Sequence, residues 1–136
     1  MRASILLTAA VMIASMVVRA QDAPRHSDHE RSWVAPAQES VRSNPLSNDR
    51  DAEAGGARLF RQRCSTCHGD DAGGTAQAPS LVSQRVQRQG DGALFWKIST
   101  GNTRSGMPTF SFLPPLQRWQ LVLHLRARAR AERQTE

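Results

Sequence analysis

Apolar side chains fill almost every position from Ile5 to Val18, where only Thr8 and Ser15 interrupt the run. Arg2 stands before this stretch and Val18-Arg19-Ala20 after it, which is the layout of an export signal, so residues 1–20 are expected to be a signal peptide cut after Ala20. A spanning helix needs roughly 18 or more apolar residues, so retention as an uncleaved anchor is the weaker expectation. No Cys lies near the cut to carry a lipid, and no Arg pair precedes the run, which points to export of the unfolded chain. From residue 21 to about 50 the pattern is lost. Polar and charged residues are punctuated by Pro24, Pro36 and Pro45 with no sustained period, so 21–50 reads as a flexible extension. Trp33 and Asn44-Pro45-Leu46 offer a way to dock its last part on the domain beyond it.

Helical patterning begins at Asp51. Leu59 and Phe60 mark an inner face, Gly55 and Gly56 allow another backbone to approach, and the helix runs into Cys64. A loop rich in Gly and Ala occupies Gly69 to Ser80, and Leu81, Val82 and Val86 predict a short helix beyond it. Asp91 is placed to cap a helix through Leu94, Phe95, Trp96 and Ile98 that stops at Gly101. Gly106-Met107-Pro108 breaks regular structure. Pro114-Pro115 suits a first helical turn, and Leu116 to about Ala129 carries apolar side chains on nearly every side, so this helix must be covered on two faces. No strand-like alternation and no repeat appear. The expected fold class is all-α, with three to five short helices in a domain at 51–131 and a disordered tail at 132–136.

Composition sharpens this picture. The chain has 136 residues, 39% of them hydrophobic and only 5% aromatic, with no Tyr, which allows one small domain and excludes a multidomain enzyme. A core of about 80 residues usually needs a staple or a large cofactor. Basic residues outnumber acidic ones by 18 to 12, for a net charge of +6. Loss of residues 1–20 would remove Arg2 and Arg19 and leave a mild excess. No basic patch interleaves with aromatics, so nucleic acid is not an expected partner. Arg126, Arg128, Arg130 and Arg133 would surround the last helix rather than line one stripe, and read as a solvated, dipole-favoured helix end.

The only two cysteines stand in Cys64-Ser65-Thr66-Cys67-His68, the C-x-x-C-H pattern of covalent haem attachment. Residues three apart share a helix face, so both thiols can add to the vinyl groups along one side of a porphyrin, and His68 comes under the iron. Three other readings compete. A disulfide across so short a loop is strained and usually redox-active. A thioredoxin-like site wants a preceding strand and βαβ context. Structural zinc wants four ligands. After signal removal Met107 is the one methionine left, and its Gly-Met-Pro loop suits a thioether held at fixed reach as the second axial ligand. His124, inside the last apolar helix, is the competing axial ligand, although a packed histidine is commoner there. His26 and His29, three apart in the extension, read as solvated rather than as a site for a stray divalent metal.

From Gly55 to about Arg128 the chain resembles class I cytochrome c, in its bacterial monohaem, soluble periplasmic form. Cys64, Cys67 and His68 match that family's attachment motif and Met107 its distal ligand. Gly56 and Phe60 are similar to its first-helix contact residues. Ala78-Pro79-Ser80-Leu81 is similar to the segment whose proline carbonyl accepts a hydrogen bond from the proximal histidine, and the resemblance implies that Leu81 lines the haem pocket. Arg118 to Leu125 is similar to the last helix, with His124 where Tyr is common. The stretch from Asp91 to Ile98, with Met107-Pro108-Thr109-Phe110, looks like the branch often found beside periplasmic dehydrogenases.

The resemblance implies a small cytochrome c fold around one haem c, held by two thioethers, with its iron between His68 and Met107. An iron filled on both sides has one-electron exchange left to it, so the expectation is an electron carrier and not an enzyme. It would act in the periplasm between a dehydrogenase or other respiratory donor and an acceptor such as a terminal oxidase. Its partners would be redox proteins, met as a monomer or as a subunit of a complex, with no membrane span after cleavage. Trp96, Lys97 and Arg104 are candidate propionate partners. The alternatives are a haem enzyme or gas sensor with a labile Met107, a subunit of a larger dehydrogenase complex, and a thiol-disulfide oxidoreductase.

Overall fold

The computed structural model describes residues 33–135; the expected signal segment, its cut, His26 and His29 lie outside the described residues. Among the described residues six α-helices stand in order: α1 (Ala37–Ser40), α2 (Arg50–Arg63), α3 (Ser65–His68), α4 (Gln84–Gln87), α5 (Asp91–Thr100) and α6 (Pro115–Arg133), with a 3-10 turn at Thr103–Ser105. Among the described residues there is no strand. The one β feature there is an isolated antiparallel bridge between Asn102 and Met107. The all-α expectation therefore holds for the described residues. Five of these helices fall in the domain expected at 51–131, within the three to five expected there, and α1 lies before it.

Local chemistry sets the helix ends. α2 begins at Arg50 because the Asp49 carboxylate accepts the Ala52 amide at 2.9 Å. Asp51 and Glu53 then lie in its first turn and Arg61 and Arg63 in its last, each sign at its favoured pole. α5 departs from expectation by one residue. Gly90 holds the cap position and Asp91 lies in the first turn, its carboxylate taken by Arg126 instead of by the backbone. α6 starts on Pro115 as expected and continues through Glu132 and Arg133, into the segment expected to be a disordered tail. Leu116, on its first turn, is exposed rather than packed.

Two close approaches fix the packing. A Cβ on Gly56 would lie 2.0 Å from the Gln120 carbonyl oxygen, so α2 and α6 cross backbone to backbone there. Phe60, one turn on, is fully buried beside that crossing. The second face of α6 is covered by α5, where the Phe95 and Trp119 rings stack at 4.2 Å. Between these covers Leu121, Val122, Leu123, His124 and Leu125 are all buried in succession, as a helix covered on two sides requires.

The extension ends earlier than the sequence suggests. Residues 33–49, read as part of a flexible stretch, form a strap over α5 and the start of α6. The Arg42 carbonyl accepts the Gly92 amide at 2.9 Å, and a side chain at Gly92 would collide with the Glu39 carbonyl. Arg42 also lays its guanidinium 4.9 Å from the Phe95 ring centroid and 5.4 Å from that of Trp119. Asn44, buried, donates to the Trp119 carbonyl at 2.9 Å and accepts from the Leu46 amide at 2.9 Å. The docking foreseen for Trp33 and Asn44-Pro45-Leu46 thus reaches the whole strap.

Candidate functional site

The last turn of α2 delivers Cys64, whose amide still bonds the Phe60 carbonyl at 2.8 Å while its own φ of −124° breaks the helix. The single turn α3 then closes on the Cys64 carbonyl, which accepts the amides of Cys67 at 3.2 Å and His68 at 3.0 Å. Two sulfurs and an imidazole are thereby gathered on one turn, as the three-residue spacing demands. Cys64 is half-buried and Cys67 exposed, and no disulfide joins them. Burial, with Cys67 adding, pushes the Cys64 thiol up to about 11. A redox-active C-x-x-C pair depends on a lowered thiol pKa, so this environment disfavours the oxidoreductase alternative. Among the described residues no three His, Cys, Asp or Glu side chains converge on a metal position.

His68 Nδ1 lies 2.9 Å from the Pro79 carbonyl oxygen. A carbonyl only accepts, so Nδ1 carries the ring proton and Nε2 keeps its lone pair, the tautomer a metal ligand needs. The loop that brings Pro79 back is tied to the attachment turn. The Gly74 amide donates to the His68 carbonyl at 2.8 Å, the Thr75 hydroxyl to the Cys67 carbonyl at 2.5 Å, and the Thr75 amide to the Ala78 carbonyl at 2.9 Å. The neck of the loop closes where the Leu81 amide meets the Ala72 carbonyl at 2.8 Å, with Ala72 fully buried.

Met107 is held by its backbone. It exchanges both amide hydrogen bonds with Asn102, at 2.9 and 3.0 Å, across the 3-10 turn. Beyond it the Thr109 hydroxyl donates to the Ser99 carbonyl at 2.6 Å and the Phe110 amide to that of Ile98 at 3.1 Å, pinning the segment to α5. The Met107 side chain is half-buried against the same core as Cys64, Leu59, Leu81 and Val86. Each of the five is partly buried and keeps some apolar surface uncovered.

His124 sits elsewhere. Its ring packs 5.2 Å from that of Phe60 and its Cβ faces Gly56, so it belongs to the helix crossing. Burial first, then the charges of Arg128 and Arg61, hold it below the usual histidine range. Of the residues considered for propionates, Arg104 is exposed on the 3-10 turn, Trp96 is half-buried, and the Lys97 ammonium lies 4.6 Å over the Trp33 ring. Burial, with Arg85 adding, lowers the Lys97 pKa.

The sequence reading missed the arginines of α6. Arg126, taken as part of a solvated helix end, is instead partly buried and makes four hydrogen bonds to Asp91, Gln87 and Gln89. Arg128 reaches the Asp71 carbonyl at 3.3 Å. Nothing in the local pattern signals either contact, because the acceptors lie on distant turns of chain.

The model of the family described as cytochrome c oxidase, cbb3-type, subunit III matches residues 51–125. The chain belongs to that family. No curated protein matches it. This protein is thus a c-type cytochrome, whose cofactor is covalently bound haem c with its iron. The donor set fits the haem. Two thiols one helical turn apart, an imidazole with its free lone pair fixed by Pro79, and an anchored thioether are what covalent attachment and axial ligation require. The partly covered apolar side chains of Leu59, Leu81 and Val86 suit the face of a large flat apolar group. Among the described residues no helix is long and apolar enough to cross a membrane.

Proposed function

We propose that this protein is a monohaem electron carrier of the periplasm, exported through residues 1–20 and passing single electrons from a dehydrogenase or other respiratory donor to an acceptor such as a terminal oxidase. Cys64 and Cys67 hold the haem, His68 and Met107 are its axial ligands, Pro79 orients His68, and Leu81 lines the pocket. When bound, the haem supplies one-electron chemistry between its ferric and ferrous states. The chain's own part is to hold both axial donors in place, so that little structure moves when the charge changes. The observation that carries this reading is the His68 Nδ1–Pro79 contact at 2.9 Å, because it fixes the ligand tautomer on the same turn that presents both thiols. The two backbone bonds between Met107 and Asn102 favour a filled sixth position over an open haem enzyme or gas sensor.

The family match favours one second reading, a haem subunit held within an oxidase complex. Both readings need the same haem site. They differ in whether the purified protein travels alone or with larger partners.

A pyridine haemochrome spectrum of protein exported in a host with cytochrome-maturation machinery tests the proposal. The expected spectrum reports one haem per chain joined by two thioethers. Cys64→Ala with Cys67→Ala should lose all haem that survives acid-acetone extraction. Colourless wild-type protein would end the reading.

A further inference from the structure

We propose that Gln87 and Arg126 are positioning residues that hold the carbonyl of Pro79 against His68, and so help to set the haem's reduction potential. The inference rests on the reading of His68 as an axial ligand.

The Pro79 carbonyl sits in the loop between Gly69 and Leu81, and it stays on His68 only as firmly as that loop is held. One end belongs to the attachment turn itself. The other end is Leu81, whose amide closes the neck on Ala72 and whose carbonyl accepts the Gln87 Nε2 at 2.8 Å. Gln87 is in turn fixed from α6. Arg126 Nη1 donates at 2.9 Å both to the Gln87 side-chain oxygen and to its backbone carbonyl. A guanidinium only donates and the Leu81 carbonyl only accepts, so the Gln87 amide has a single orientation that satisfies both.

The remaining Arg126 donors make the fork rigid. Nε pairs with Asp91 Oδ1 at 2.8 Å, and Nη2 donates to the Gln89 carbonyl at 2.5 Å. On the other side of the neck Arg128, two residues along α6, holds the Asp71 carbonyl. One helix therefore braces both shoulders of the loop, and the Gln87–Leu81 bond ends two residues from Pro79. A firm hydrogen bond at Nδ1 makes the imidazole a stronger donor and favours ferric iron. Loosening the brace weakens that bond and raises the potential.

Gln87→Glu separates positioning from stability. It keeps an acceptor for Arg126 but replaces the donor to Leu81 with an oxygen. In the haem-loaded, full-length protein, the expected result is a melting temperature close to wild type and exchange of the His68 ring proton about fivefold faster by NMR, as the loss of one hydrogen bond implies. The midpoint potential is read on Gln87→Leu, which adds no charge, and should rise there. Gln87→Leu, which lacks both polar atoms, should show the same faster exchange if Gln87→Glu does not fold. Ring-proton exchange unchanged in the haem-loaded variants would overturn the proposal, whatever their melting temperatures. Wild-type protein without covalent haem would instead overturn the reading of the site on which it rests.

Discussion

Gly56 and Gln120 meet with no room between them: a Cβ at Gly56 would stand 2.0 Å from the Gln120 carbonyl oxygen and 2.6 Å from its carbon. Backbone cannot swing aside as a side chain can. Gly56→Ala must therefore part α2 from α6 and open the packing around Phe60 and His124. The expected cost is about 2–4 kcal/mol, measured by urea denaturation of the haem-loaded protein. Gly55→Ala is the matched control. Its Cβ would meet only the Gln120 side-chain amide, at 3.0 Å, which can move, so that variant should stay within about 1 kcal/mol of wild type.

Met107 offers a test of the distal side. Its backbone bonds to Asn102 do not depend on the side chain, so Met107→Ala should fold and keep covalent haem. Removing the thioether should lower the midpoint potential, because soft sulfur favours ferrous iron, and should let carbon monoxide bind the ferrous protein rapidly. Carbon monoxide binding no different from wild type would count against the Met107 assignment.

What the sequence made legible was local. Cys64, Cys67 and His68 lie within one turn, so their spacing alone states their geometry, and Met107 is marked by the Gly and Pro beside it. The long α6 was legible because its apolar residues outnumber what one face can bury. The contacts that lock the fold were not. Asn44 and its Trp119 partner are 75 residues apart, and Arg126 and Asp91 are 35 apart. A polar residue in a proline-broken stretch, or an arginine near a helix end, carries no sign of which distant carbonyl it will meet. Pro79 came into view through the family resemblance, since a carbonyl leaves no trace in side-chain pattern.

The strap makes its own prediction. Asn44 is buried with both ends of its amide in use, on the Trp119 carbonyl and the Leu46 amide. Asn44→Ala leaves the Leu46 amide unpartnered and should cost about 1–3 kcal/mol in urea denaturation. Because the strap touches α5 and α6 rather than the attachment turn, the haem spectrum should not change. A loss below about 0.5 kcal/mol would show that residues 33–49 contribute little to the fold.

His124 makes stability depend on pH. In the unfolded chain its imidazole titrates near the ordinary 6.5, whereas in the folded protein burial, then Arg128 and Arg61, hold its pKa lower. Between those two values the unfolded chain binds the additional proton, so stability rises with pH across the window. The contribution is fully present above about 6.5 and is lost as pH falls toward the folded value, below which both states are protonated. The melting temperature should therefore drop on acidification from pH 7 to pH 5. His124→Tyr removes the titration while keeping an aromatic ring against Phe60, and should flatten that part of the profile with the haem spectrum intact. An equally steep drop in His124→Tyr would assign the acid sensitivity to another group. A changed axial-ligand spectrum in the same variant would return His124 to the iron.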